Sequence, residues 1–348
     1  MKRIVTLLLA CAMVFTSSSC IQRKKRYEAQ FLQLFDTVTT MVAYMDSRVE
    51  FEEFSVLIHD SLEEYHTLFD IYHDYEGIPN IKTINDNAGK RPVKVDSRII
   101  DLLKFSKQAY TRTQGRCNIA LGAVLKIWHD YREAGIDDPQ NAALPKLSQL
   151  QEAAKHTDIN HIIIDEGNST VFLSDAEMSI DVGGVAKGYA TEKVALLAKD
   201  KGYTSALLSV GGNVRAIGSK DGKGKPWNVG IQDPDASQGN TDLLVTAIDD
   251  KSVVTSGSYQ RYYTVDGKRY HHIINPETLM PSTYFKAVTI ICRDSGIADE
   301  LSTALYNMPY EQGVEYIDSL PETEALWILE NGEIGYSSKF KQYIKEQL

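Results

Sequence analysis

"SIDVGGVAKGYATEKV", residues 179–194, joins an apolar run ending in Asp181 to two adjacent glycines, a lysine and the start of a helical pattern. Gly183 and Gly184 allow a backbone to come close to a ligand. The first amides of a helix have no intrahelical partner and favour an anion. Lys187 would stand in the first helical turn, where a cation opposes the helix dipole unless something negative lies nearby. The stretch is not a Walker A loop, because no Gly-Lys-Ser/Thr ending follows, and it is not a dinucleotide GxGxxG. A phosphate-binding turn accounts for it, and so does a structural strand-to-helix turn with a surface lysine.

Outward from this turn, apolar spacing predicts a first strand over 33–45 and helices over 50–72 and 96–115. Asp96 or Ser97 would cap the second helix and Gly115 would end it. Strands are predicted on both sides of Glu166-Gly167-Asn168-Ser169 and of Gly211-Gly212, in "WNVGIQDP", "LLVTAIDD" and "KAVTIICRD", and along 252–274. "SGIADELSTALYNM" reads as a helix, and 325–338 as a hairpin around Asn331-Gly332. "KDGKGKPW", residues 220–227, reads as a hairpin loop. Strands and helices mix without regular βαβ alternation. The expected class is α+β, a single two-lobed unit of largely antiparallel sheets with flanking helices.

The 348 residues are 43% hydrophobic and 24% charged, with a formal net charge of -10. This composition is globular, and it offers no basic footprint for nucleic acid or anionic lipid. A phosphate site must therefore be local. The first 19 residues carry Lys2, Arg3, an apolar run over 4–15 and then small residues, the layout of a secretory signal. Cys20, directly after Ser17-Ser18-Ser19, resembles a bacterial lipoprotein processing site. That resemblance implies cleavage before Cys20 and an acyl lipid such as palmitate on its thiol. Cys11 stands too early for the same role. Residues 20–32 would then be a polar, lipid-anchored tether and 33–348 the working domain, outside the cytoplasm on the periplasmic side of a bacterial membrane. Loss of Lys2 and Arg3 with no acid would take the charge from -10 to -12. Cys117 and Cys292 lack metal spacing. One disulfide is open to them in an oxidising compartment; two buried thiols is the simpler reading.

Three further stretches carry chemistry. In "IADELSTAL", Asp299 and Thr303 are four apart and share a helix face, with Ser302 beside them. A carboxylate with a hydroxyl suits Mg²⁺ or Ca²⁺ rather than zinc. Taken alone, the pair reads as a solvated helix face. In "RYHHIINPET", His271 and His272 point to opposite sides of a strand, so only one can serve as a base at a given site. "VVTSGSYQRYY" offers Thr255, Ser256 and Gly257 as site lining, with no nucleophile elbow.

Taken in order, "SIDVGGVAKGYATEKV", "LLSVGGNVRAIG", "PWNVGIQDP", "VVTSGSYQRYYTVDGKRYHHIINPET" and "IADELSTAL" resemble the FAD:protein FMN transferase family, the ApbE-like flavin transferases. "LFDTVTTM", "FDIYHDYEGIPNIKTIN" and "CNIALGAVLKIW" match more loosely, so the resemblance spans roughly residues 33 to 310. It implies a Mg²⁺-dependent enzyme that splits FAD and passes FMN to a threonine hydroxyl of an acceptor flavoprotein, a subunit of a membrane redox complex, releasing AMP. Position by position, it implies flavin-nucleotide contacts at Phe35, Tyr72, Asn118, Ile119, Ala120, Asp181, Lys187 and Ile273. It implies metal oxygens from Gly184 (by its carbonyl), Asp299, Thr303 and Ser302, with His272 as the base and Lys187 on the pyrophosphate. The chain departs from the family at Phe35-Asp36-Thr37, where Met-Gly-Thr is usual, and at Cys117-Asn118-Ile119-Ala120, where an aromatic-Asp-x-Thr segment is usual. It departs again at Asn275 and at Leu279-Met280. The same site with water as acceptor would be an FAD pyrophosphatase, and without turnover a flavin-binding lipoprotein. The chain holds no Ser/Asp-Gly-Ala-Thr acceptor stretch of its own.

Overall fold

The computed structural model describes residues 24–236 and 242–347; the signal segment 1–19 and the lipidation candidate Cys20 lie outside the described residues. An eight-stranded sheet organises the rest. Its spatial order is Lys25–Phe31, Thr39–Met45, Ala206–Val210, Asn213–Ile217, Ser252–Gly257, Phe285–Cys292, Glu324–Leu329 and Ile334–Tyr336. Every neighbouring pair in it is antiparallel. The α+β class with antiparallel sheets is therefore what the chain adopts.

Side-chain alternation along the central strands builds the layers. Val254, Val288, Ile290 and Cys292 share one core with Ala298, Leu301 and Leu305 of the helix Ser295–Tyr306. Val253, Ala287 and Ile291 point the other way. They meet Trp227, Val229, Ile231 and Leu244 of a three-stranded sheet ordered Ile344–Gln347, Asp242–Ile248, Trp227–Gln232. Phe285–Cys292 is thus covered on both faces, which is why it reads as an unbroken apolar run. On the other half of the large sheet, Met41, Ala43, Leu208 and Val210 pack with Phe54, Ile58 and Leu62 of the helix Arg48–Phe69. Val194 and Ala198 of the helix Ala186–Asp200 join the same core. Cys117 and Cys292 are buried free thiols. Among the described residues no helix is long and apolar enough to cross a membrane.

Several sequence expectations change. The stretch 20–32, read as a tether, contains the edge strand Lys25–Phe31, paired with Thr39–Met45. Tyr27, Ala29 and Phe31 alternate onto the core while their neighbours stay exposed, a period-2 pattern hidden behind the basic run before it. The expected strand over 33–45 begins only at Thr39. Gln33, Phe35 and Asp36 take φ of 76°, 53° and 53°, turning the chain through a short 3-10 segment at Leu34–Asp36. "KDGKGKPW" is not a hairpin loop; it carries the chain from Asn213–Ile217 in the large sheet to Trp227–Gln232 in the small one. The helices Gly122–Asp137 and Tyr310–Asp318 were not anticipated. Asp96, not Ser97, caps the helix Ser97–Arg112 by accepting from the Arg98 amide. Gly115, at φ +82°, closes its end with its amide on the Tyr110 carbonyl.

Candidate active site

The helix Ala186–Asp200 begins without a side-chain cap of its own, since Val185 holds the N-cap position. The cap comes from another helix. The Gly188 amide donates to Asp299 Oδ2 at 2.8 Å, across 111 residues of sequence. Only glycine permits this approach. A Cβ on Gly188 would stand 2.3 Å from the Ser295 carbonyl oxygen and 2.4 Å from the Asp299 Cβ.

Gly188 is the third helical residue, so its amide is one of the four at a helix start that have no intrahelical partner, and Asp299 supplies one. The Gly184 carbonyl, just before the helix, has no hydrogen bond among the described residues. Asp299 Oδ1 and the Thr303 hydroxyl also have no partner there. Thr303 sits beside Gly184: a Cβ on that glycine would lie 3.4 Å from Thr303 Oγ1. A carbonyl, a carboxylate oxygen and a hydroxyl, free and adjacent, are a hard-oxygen set that suits Mg²⁺. Burial raises the Asp299 carboxyl above its ordinary value, opposed by Lys187 and the Gly188 amide. Burial raises Asp181 as well, opposed by the Gly183 amide it accepts at 2.8 Å and by His129, Lys187 and Arg132.

These groups open into one cavity of about 290 Å³. Asp181, Gly184, Lys187, Asp299 and Thr303 line it, and so do Phe35, Tyr72, Asn118, Ile119, His272 and Ile273. Two expected residues do not. Ala120 is fully buried beneath the lining. Ser302 is also fully buried, and its hydroxyl is engaged with Ser256 Oγ at 2.8 Å and the Asp299 carbonyl at 2.9 Å, so it supports the wall rather than facing the cavity. Asn118 uses both ends of its amide: Oδ1 accepts from the Ala120 amide and Nδ2 donates to the Thr157 carbonyl. Asparagine in place of the family's aspartate is thereby put to use as a cap with an extra donor.

Both histidines line the cavity, His271 as the last residue of the strand Lys268–His271 and His272 just beyond it, so alternation does not separate them; their hydrogen bonds do. His271 Nε2 faces the Ser282 carbonyl at 2.7 Å, and its Nδ1 faces the Ile273 amide. A carbonyl only accepts and an amide only donates, so His271 is fixed with its proton on Nε2 and both nitrogens engaged. His272 Nδ1 faces the Arg261 carbonyl at 3.2 Å, which assigns the proton to Nδ1 and the lone pair to Nε2. Burial pushes the His272 pKa down to about 3, and the nearby Arg261 and Lys187 push the same way. His272 is therefore neutral.

Several cavity residues escaped the sequence reading. Arg132 and Arg261 bring further positive charge to the lining. Arg132 donates to His129 Nδ1 at 2.8 Å, and the His129 ring lies 5.2 Å from the half-exposed Tyr72 ring. The signal available was a histidine and an arginine three apart on one helix, which becomes legible only once Gly122–Asp137 is seen to be helical.

An antiparallel α+β fold with a glycine turn, a lysine and an unpartnered oxygen cluster in one cavity is the frame of a flavin transferase. The chain belongs to the ApbE family, whose family model matches residues 35–327. It is 34% identical to the FAD:protein FMN transferase of Treponema pallidum, over 81% of this chain and 80% of that one. It is 30% identical to an FAD:protein FMN transferase of Klebsiella pneumoniae, over 74% and 77%. Among solved structures, the ApbE protein of Thermotoga maritima superposes with a TM-score of 0.81 at 30% identity, covering 92% of this chain and 100% of that one. The flavin transferase ApbE of Vibrio cholerae, 23% identical, shares the fold with a TM-score of 0.76 over 92% and 99%.

Proposed function

We propose that this chain transfers FMN from FAD to a threonine hydroxyl of an acceptor flavoprotein and releases AMP, with Mg²⁺ in the oxygen cluster. The observation that carries the reading is the Gly188–Asp299 contact, which joins the glycine turn to the acidic helix in a cavity that Gly184, Lys187 and Thr303 also line. The related FMN transferases from Treponema and Klebsiella support it. In this reading Gly184, Asp299 and Thr303 hold the Mg²⁺, which supplies neutralisation of pyrophosphate charge. Lys187 and the amides around Gly183 take further negative charge on the FMN side. The threonine oxygen attacks the FMN phosphorus, the bridging P–O bond breaks, and AMP departs with that oxygen. The threonine proton passes to His272 Nε2, which its Arg261 contact keeps open. Burial is the main cause of a His272 pKa of about 3, which makes a weak base, and Arg261 and Lys187 lower it further. The charge of a bound pyrophosphate would oppose that second contribution and raise the value.

We extend the proposal to location. Cleavage before Cys20 and lipid on its thiol would place the edge strand beginning at Lys25 at most about 18 Å from the membrane, since five residues reach no further. An acceptor in a membrane redox complex suits so short a leash. The test is incubation with FAD and Mg²⁺, with and without a threonine-bearing acceptor, followed by mass spectrometry of the acceptor. FMN on the acceptor with AMP released only in its presence supports transfer. AMP and FMN without acceptor indicates hydrolysis instead, and no AMP indicates binding alone.

A further inference from the structure

The two helices that carry the oxygen cluster meet along matched turns. Gly188 and Glu192, four apart on Ala186–Asp200, stand against Asp299 and Ser295, four apart on Ser295–Tyr306. The first contact is the Gly188 amide on Asp299. The second is the Ser295 amide donating to Glu192 Oε2 at 2.9 Å. It lies outside the cavity lining, and both residues are buried. Glu192 also accepts from Arg215 Nε at 2.8 Å and from a second guanidinium nitrogen at 3.2 Å. Arg215, on the sheet strand Asn213–Ile217, is 1% exposed and reaches Asp250 Oδ1 at 3.2 Å. Lys199 Nζ and the Gly218 amide bind the same Asp250.

A buried ion pair adds little net stability over apolar packing of the same volume. What the arginine fork supplies is direction, because two parallel donors fix the plane of the carboxylate. That matters here because the crossing at Gly188 has no side chain to act as a spacer. The helices meet backbone to backbone at Gly188, and two hydrogen bonds fix their register along that contact, one of them ending on the Glu192 carboxylate.

We propose that the Glu192–Arg215 pair is a positioning device for the cation site. It ties the first turn of Ser295–Tyr306 to the sheet, at the height that sets Asp299 and Thr303 against Gly184. The proposal rests on the Mg²⁺ reading above. Mg²⁺ demands near-ideal geometry at about 2.0–2.1 Å, so small displacements of one helix reduce affinity.

Two variants test it. E192Q keeps the side-chain shape and removes the charge that Arg215 and the Ser295 amide share. R215K keeps a positive charge beside Glu192 and Asp250 and removes the two-donor fork, leaving the Glu192 carboxylate and the Ser295 amide in place. Mg²⁺ binding is measured by titration calorimetry on the FAD-free protein, and FMN transfer is measured against Mg²⁺ concentration. The expected result is a Mg²⁺ dissociation constant raised about tenfold in both variants, the scale of one buried charge-assisted hydrogen bond. At saturating Mg²⁺, kcat changes less than about threefold, because neither residue touches ligand. If E192Q does not fold, R215K decides. Folded variants that bind Mg²⁺ like the wild type overturn the proposal and leave the pair a structural one. A wild-type protein that binds no Mg²⁺ overturns the cation reading itself.

Discussion

Asp299→Asn separates what this carboxylate does for the fold from what it does for a cation. Asp299 is 5% exposed, and burial raises its folded pKa above the ordinary 3.8. A group whose folded pKa lies above its unfolded value gives its full stabilisation below the unfolded pKa and loses it as pH rises through the folded one. Without metal, Asp299 therefore costs the fold stability as pH rises through that raised value. Asparagine keeps an oxygen for the Gly188 amide and carries no charge. In EDTA at pH 7 the variant should melt at or above the wild-type temperature, with the difference closing as pH falls toward 3.8. Mg²⁺ reverses the order. At a hundred times its dissociation constant, Mg²⁺ stabilises the wild type by about 2.7 kcal/mol, roughly 5 °C for a chain of this size, and leaves the variant unmoved. Scanning fluorimetry with EDTA and with Mg²⁺, alongside the FMN-transfer assay, reads both signs. A variant that is less stable than wild type by more than about 1 kcal/mol in EDTA would show that the Gly188 cap needs the charge. A variant that gains as much from Mg²⁺ as the wild type would refute the assignment of Asp299 to the cation.

The other predictions concern geometry more than charge. Gly188→Ala should destabilise by about 1–3 kcal/mol in denaturant titration, because its Cβ meets backbone that cannot yield. Gly184→Ala should stay near wild type, since its Cβ would find Thr303 at an ordinary 3.4 Å and its carbonyl is retained. His272→Ala should slow FMN transfer by about 10²–10⁴ with FAD binding preserved. In the metal-free wild type the His272 imidazole should stay neutral by NMR well below pH 6.5; an inflection near 6.5 contradicts its burial. Deleting residues 1–31 should lower the melting temperature and promote association by baring the Thr39–Met45 edge, where an unaltered melting curve would restore the reading of 20–32 as a free tether.

The elements that local pattern found are those whose pattern answers to one partner layer. Phe285–Cys292 is apolar along its length because both of its faces are covered, and the hairpin at Asn331-Gly332 declares itself by its turn. The failures have physical causes. Lys25–Phe31 alternates correctly, but it is an edge strand with charged outward residues, and the preceding lysines make it look like a leash. The helix Gly122–Asp137 opens on glycine with no side-chain cap, so nothing local announces its start. At 33–36, three non-glycine residues at positive φ turn a β-favouring sequence out of the strand, each at about 1–3 kcal/mol that only the surrounding packing can offset. Asp36 stands where the family's glycine would adopt that backbone freely, and Asp is among the residues that tolerate it.

The site shows where local reading ends. Asp299 and Thr303 share a face because they are four apart, and that much is arithmetic. That they face a cavity rather than solvent depends on the other helix, since the same spacing on an exposed helix is only a polar stripe. Gly184 is further from reach. Nothing in "DVGGVAKG" says which carbonyl will be free, because that depends on what packs against the turn. Asp299 caps the Gly188 amide with one carboxylate oxygen and keeps the other without a partner among the described residues. It can come this close only because Gly188 has no side chain to hold the helices apart. Ser302 marks the boundary from the other side. The resemblance puts it among the metal oxygens, yet in this chain its hydroxyl is held by Ser256 and the Asp299 carbonyl, a pairing visible only once Ser252–Gly257 lies alongside Ser295–Tyr306. The chemistry was legible as residue types, while the assignment of each oxygen to the cation or to the fold is made by a helix crossing that no single stretch contains.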